Sequence, residues 1–311
     1  MRFGVHYGQQ DGSYEEFAEL WRRAEDLGYD WISHHDHFVP MVTDSTGPCF
    51  DGLTLLAALA AETKRVRCGM IVLGVTYRNP ALVAKMASTI DHISGGRLEL
   101  GLGAAWYEPE HGQYGFPFPP LGERMDMLDE ACRIMRSLWT RETTTFEGRH
   151  FQLREARSEP KPLQEHLPLA IGGSGERRTL RIVAEHADLW NCHMSSEDEY
   201  RHKLEVLERH CADVGRDPAR IRKSLSFGAV LAADEAEARD RADALISPDV
   251  PEIIRKLTFI GTPEGCVERL RAFAELGVGD FLLRINAPFD WETVELIASE
   301  VAPAFGARVR T

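Results

Sequence analysis

Short apolar runs punctuate the chain at about 2–7, 29–33, 67–73, 97–102, 168–171, 188–192, 221–230 and 280–285, each the length of a buried strand. The stretches between them carry apolar residues at helical spacing. Ser13-Tyr14-Glu15-Glu16 is a capping box, and Phe17, Leu20, Trp21, Ala24 and Leu27 follow on one face before Gly28. Met125, Leu128, Cys132, Met135, Leu138 and Trp139 make a second stripe, and Thr262-Pro263 opens a helix that Gly277 closes. Two segments break the rhythm. Residues 143–153 read as a hairpin inserted within 140–166, and 234–259 is charged and helical with little strand character. Eight strands alternating with helices are the count of a parallel α/β barrel of the (β/α)8 TIM type. The expected organisation is one barrel domain over 1–311 with insertions at about 140–166 and 234–259.

Charge narrows the partners. The chain has 49 acidic and 36 basic residues, a net charge of −13, which argues against nonspecific binding to nucleic acid or to an anionic membrane. Local backbone dipoles still allow an anionic small molecule. No apolar run approaches a membrane span, and Met1 to His6 lacks the basic-then-apolar order of a signal segment. The six cysteines are scattered, without CxxC or zinc spacing, which fits reduced thiols and a cytoplasmic location.

In a parallel barrel the chemistry lies at the C-terminal ends of the strands. The fifth run ends in Gly172-Gly173-Ser174-Gly175 and opens a helix through Leu180, Val183, Ala184 and Ala187. Glycines at a strand-to-helix turn free backbone amides for an anion, most often a phosphate, with Ser174 as the candidate N-cap. The second run ends in His34-His35-Asp36-His37. Three histidines and an aspartate invite a metal reading, but strand alternation sends His35 and His37 one way and His34 and Asp36 the other, so no metal is expected. Glu108 and Glu110 are either proton donors or solvated loop carboxylates. Trp106 and Tyr107 either line a flat aromatic ligand or cap the barrel.

These residues resemble the luciferase-like superfamily of flavin and deazaflavin oxidoreductases, and within it the branch that uses coenzyme F420. The resemblance covers nearly the whole chain. It is carried by Ala24 to Asp30 leading to Asp36-His37-Phe38, by Asp91-His92-Ile93-Ser94-Gly95-Gly96-Arg97-Leu98 and by Gly101 to His111. Pro119 to Arg124, Phe146-Glu147-Gly148-Arg149 and Ile171 to Gly175 complete it. It implies a cofactor over the barrel mouth, its phosphate at Gly172, Gly173 and Ser174. The ring would lean on a bulge after the third strand, with a non-proline cis peptide at the matching pair Gly74-Val75 and Thr76 and Trp106 nearby. His37 would lie near the reactive ring carbon and Asp36 would bond the ring's polar edge. Two departures argue against a sugar phosphate as substrate: Trp106 stands where the sugar-phosphate dehydrogenases of this branch have a Glu, and the loop 76–80 is shorter.

The expected activity is hydride transfer between F420 and a C=C, C=O or C=N bond of a small substrate, with His37, Glu108 or Glu110 handling the proton. The alternative is an FMN-dependent monooxygenase needing oxygen and a separate reductase. A more distant one is a non-catalytic flavin-binding protein. A homodimer is expected, since the family commonly forms one.

Overall fold

The computed structural model describes residues 1–307 apart from 42, 194–195, 247–249 and 251. The first strand, β1 (Arg2–Tyr7), feeds α1 (Tyr14–Asp26), whose start is the capping box seen in the sequence: the Glu16 amide donates to the Ser13 hydroxyl and the Ser13 amide to the Glu16 carboxylate. Then come β2 (Trp31–His34), α2 (Gly52–Glu62), β3 (Arg67–Gly74), α3 (Pro80–Ser94) and β4 (Leu98–Gly103). A short α4 (Glu108–Tyr114) and a long α5 (Leu121–Thr140) precede the hairpin of β5 (Thr144–Glu147) and β6 (Gln152–Ala156). The alternation resumes with β7 (Leu169–Gly172), α6 (Thr179–His186), β8 (Leu189–Cys192), α7 (Glu197–Val214) and β9 (Arg222–Leu231).

After β9 come α8 (Glu235–Leu245), α9 (Glu252–Lys256) and β10 (Thr258–Gly261). Part of this expected insertion, 247–249 and 251, lies outside the described residues. The short strand β10 has no signature in the sequence because its four residues follow a charged helical stretch. It pairs with the upper half of β9, Gly228 to Leu231, whereas the lower half, Ser224 to Gly228, pairs with β11 (Asp280–Ile285). Helix α10 (Pro263–Glu275) precedes β11 and α11 (Trp291–Leu296) follows it.

Eight strands close a ring in the order β1-β2-β3-β4-β7-β8-β9-β11, parallel throughout, with β11 returning to β1. Apolar residues fall into two groups. The larger lies between ring and helices, and Trp31, Ile71, Ala170, Leu189 and Leu282 form the smaller one inside the ring. Trp31 takes the room that Gly69 leaves: a Cβ on Gly69 would stand 2.9 Å from Trp31 Cε2. All six cysteines are unpaired, and no helix among the described residues is long and apolar enough to cross a membrane.

Beneath the apolar plug, charged side chains close the floor. The Glu99 carboxylate is met by Arg2 at 3.0 Å, Arg67 at 2.5 Å and Arg222 at 2.8 Å, and Asp280 takes Arg2 at 2.6 Å. One carboxylate thus ties β4 to β1, β3 and β9 across the barrel. Burial alone would push the Glu99 carboxyl up, but Arg2 and Arg222 outweigh it and hold it at about 2. Glu99 therefore binds its proton more weakly folded than unfolded, so its stabilisation is present above its unfolded pKa, roughly 4.3, and is lost as the pH falls towards 2.

Glu99→Gln is expected to lower the unfolding free energy at neutral pH by about 3 kcal/mol. In urea melts the gap to the parent should close as the pH is taken from about 5 to about 2. A gap that stays constant over that range would remove the ionised carboxylate from the account.

Candidate active site

Strand alternation carries through the end of β2 and sorts its polar residues. His34 points outward, its Nε2 bonded to the Gly52 carbonyl at 2.8 Å, and burial pulls its pKa down to about 4. Asp36 is also turned outward. Arg78 donates to both of its oxygens at 2.8 Å, and the Gly74 amide donates to one at 3.2 Å. With both oxygens taken up in this way, the buried Asp36 carboxylate anchors the turn after β3. His35 and His37 face the other way, and the His35 ring stands between those of His6 and His37 at 4.3 and 6.0 Å.

His37 is held by Glu110. Its Nδ1 lies 2.7 Å from Glu110 Oε1, the Phe38 amide donates to Oε2 at 2.8 Å, and the Tyr77 hydroxyl donates to Oε1. Burial pushes the fully buried Glu110 carboxyl up, but His37 and the two donors outweigh it and leave its pKa below the ordinary value. An ionised carboxylate only accepts, so Nδ1 carries the proton and Nε2 is the free nitrogen of His37. Glu108 and Glu110 open α4 two positions apart, about 200° round the helix. Glu108 is exposed and takes no part in this arrangement. Phe38, Tyr77, Tyr114 and Phe116 pack around the pair, with centroids 4.9 to 5.4 Å apart where they meet Phe38 or Tyr77.

The bulge of β3 is earlier than expected. The cis peptide lies at Ile71–Val72, and the register with β4 shifts between Met70 and Leu73. Val72 turns inward against bare backbone: a Cβ on Gly101 or Gly172 would stand 2.9 Å from its Cγ1. Gly74 and Val75 are not that shelf. Val75 is packed in the layer between ring and helices, its amide on the Gly103 carbonyl at 3.0 Å. Thr76 is buried too, its hydroxyl 2.8 Å from His111 Nε2. The Tyr107 carbonyl takes the proton of His111 Nδ1 at 2.8 Å, so Thr76 donates. Trp106 stays at the mouth, 65% exposed, edge-on to His37 at 6.0 Å.

The glycine loop follows β7. Gly173 has φ of +110°, a conformation that favours glycine, with its amide on the Asn191 carbonyl at 3.0 Å. Ser174 is not a helix cap: α6 begins at Thr179, with Arg178 at the cap position. The delay has a cause. Glu176 is strapped to α7 by Lys203 at 2.6 Å and His202 at 3.0 Å, and its carbonyl by His210 at 2.8 Å. Among the described residues the amides of Ser174 and Gly175 meet no backbone acceptor, which suits the loop to an anion.

Val72, Tyr77 and Arg78 were missed from sequence. Val72 sits in an unbroken apolar run, and its signal was the glycine pairing of positions 101, 103 and 172 that face it. The side chains of the histidine run diverge, with His34 outward and His35 and His37 inward. Among the described residues, the ligand atoms close enough to share an ion belong to Asp129, Glu185 and His186, outside the ring on α5 and α6.

A family model described as luciferase-like monooxygenase matches residues 1–250. An F420-dependent glucose-6-phosphate dehydrogenase of Intrasporangium calvum is 28% identical over 299 residues, 86% of this chain and 87% of its own. The pyrimidine monooxygenase RutA of Stutzerimonas stutzeri is 33% identical over 62% of this chain and 52% of its own. Among solved structures, an F420-dependent secondary alcohol dehydrogenase in complex with an F420-acetone adduct has the same fold, with a TM-score of 0.85 and 22% identity over 100% of this chain and 99% of that one.

The assignment of protons at His37 is open to direct measurement. In two-bond 1H–15N spectra of histidine-labelled protein, His37 should show the Nδ1–H form, and Glu110→Ala should release it to the Nε2–H form. The same variant should lose about 2 kcal/mol of stability by stranding the Tyr77 hydroxyl and the Phe38 amide. An Nε2–H tautomer in the parent would contradict the arrangement.

Proposed function

The chain belongs to the luciferase-like monooxygenase family, and on that premise we propose that this oxidoreductase uses coenzyme F420 to pass a hydride to or from a C=C, C=O or C=N bond of a small organic substrate. The observation that carries the reading is His37, on the inward face of the barrel mouth with one nitrogen held by an ionised carboxylate and the other free. When bound, the deazaflavin supplies a ring carbon that gives or takes the hydride. Gly172, Gly173 and Ser174 would hold its phosphate, and Val72 and Trp106 would flank the ring.

The protein's own part is proton handling and shelter. In the direction of reduction, His37 would pass a proton from Nε2 to the substrate atom that gains electron density, while Glu110 keeps Nδ1 bonded and the ring oriented. In the direction of oxidation, neutral His37 takes the proton from a substrate hydroxyl or amine at Nε2. Tyr77 and the Phe38 amide keep Glu110 from turning away, and the aromatic cluster of Phe38, Tyr77, Tyr114 and Phe116 limits water at the pair.

The family's description and the pyrimidine monooxygenase relative favour a second reading, an FMN-dependent monooxygenase supplied by a separate reductase. It would use the same phosphate seat and would leave His37 a positioning residue.

Equilibrium titration of the cofactor-free protein separates the two. The expected result is F420 bound at least about 30-fold more tightly than FMN. His37→Ala should keep F420 affinity within about 3-fold and lose turnover of an accepted substrate by about 100-fold or more. Preference for FMN would transfer the bet to the second reading, and binding of neither would end both.

A further inference from the structure

The inner wall of the mouth has two unlike halves. On β3, β4 and β7 it presents Val72 and the bare backbones of Gly101, Gly103 and Gly172. On β1, β2, β8, β9 and β11 it presents polar side chains, and most of these satisfy one another. His6 Nδ1 lies 2.9 Å from Ser33 Oγ, and Asn191 Nδ2 reaches the Ser224 and Ser226 hydroxyls at 3.0 and 3.1 Å.

Arg284 departs from that pattern. It lies on β11 level with His6 on one neighbouring strand and Gly228 on the other, near the top of the ring. Its Nε is out of contact with solvent and has no hydrogen-bond partner, and no carboxylate among the described residues offsets its charge. The groups that feel its field, His6, His35 and His193, are basic as well. Arg284 is partly buried, and a guanidinium whose Nε is sealed from solvent without a hydrogen-bond partner is costly.

We infer that Arg284, with His6 and His35 beside it, forms a subsite for an oxyanion carried by the substrate, and that this group is a carboxylate. The choice of carboxylate over phosphate is a matter of charge count. Burial drives the pKa of His6 and His35 well below the ordinary histidine value, and burial with the field of Arg284 takes His193 to about 4. Desolvation lowers Arg284 only to about 10, so at neutral pH it is the single charge of the group. One positive charge with neutral ring donors balances a monoanion, whereas a phosphate dianion would leave a negative charge uncompensated in a desolvated mouth. The inference rests on the proposed function in one respect: the molecule that carries the carboxylate is the one that reacts beside His37.

The test is equilibrium binding of cinnamate, cinnamamide and phenyl phosphate to the cofactor-free and the F420-saturated protein. Cinnamate is expected to bind the F420-saturated protein at least about 10-fold more tightly than either of the others. Arg284→Met should weaken cinnamate about 30-fold, Arg284→Lys should restore part of it, and both should keep F420 affinity within about 2-fold. Because Arg284→Met removes a partly buried charge that no carboxylate among the described residues offsets, its melting temperature should match or exceed that of the parent, which separates lost binding from lost folding. Four results would overturn the subsite: equal binding of acid and amide, no effect of Arg284→Met, preference for phenyl phosphate, or cinnamate that fails to saturate below about 10 mM. Displacement of cinnamate by F420 would also overturn it, since the carboxylates of the cofactor would then be the ligand. F420 affinity, read by its own fluorescence, keeps the two readings apart. A protein that ignores F420 but binds cinnamate through Arg284 loses the cofactor assignment alone, and one that binds F420 and ignores cinnamate loses the subsite alone.

Discussion

A closed parallel ring offers each strand residue two destinations, the interior or the layer under the helices, and neighbours in sequence must take opposite ones. Most of the site follows from that constraint. Tyr7 and His34 go outward and meet with tilted rings at 5.2 Å between centroids, while His6 and His35 go inward and meet at 4.3 Å. Asp36 then belongs to the outer layer and His37 to the mouth, one residue apart with unrelated duties. The bulge in β3 is where alternation is broken, and it turns Val72 inward beside Ile71, which also packs inside the ring. That second inward residue is accommodated because the strands facing it carry Gly101, Gly103 and Gly172.

Much of this was legible in the sequence, and the failures have a common physical origin. The ring strands and most of the large helices follow from apolar periodicity, and the run 2–7 coincides with β1. Periodicity cannot report a bulge, because Ile71 and Val72 are both apolar and either face would suit them. It cannot tell Glu108 from Glu110 either, since the choice depends on where α4 begins and on Tyr77 and Phe38 arriving from other parts of the chain. The delayed start of α6 depends on side chains of α7, more than 20 residues away in sequence. Local pattern places the residues of the site near one another, and long-range bonds assign their roles.

The floor and the mouth of the barrel show the same residue type in opposite circumstances. At the floor, Arg2, Arg67 and Arg222 surround Glu99, with Asp280 beside Arg2, so burial of charge is offset within the chain. At the mouth, Arg284 has no such partner among the described residues, although the chain as a whole is strongly acidic. With 49 acidic residues in the sequence, a carboxylate for Arg284 could readily have been placed. A position kept positive against that background is better understood as open to a ligand than as a fault of packing.

The two halves of the mouth differ in what they could offer a bound molecule. Around Val72 the facing backbone carries no side chains, which leaves a smooth apolar surface and nothing to grip a small polar group. The polar half offers grip but no surface for a ring. A substrate held there by a charged end is oriented with its other end towards the ring and with His37 at the junction of the two halves. On the proposed reading, such a division would place the proton-handling residue and the ring at different points around one bond of the substrate. On that reading the aromatic residues beside Glu110 would matter too, because a proton held at His37 is useful only while water does not compete for it.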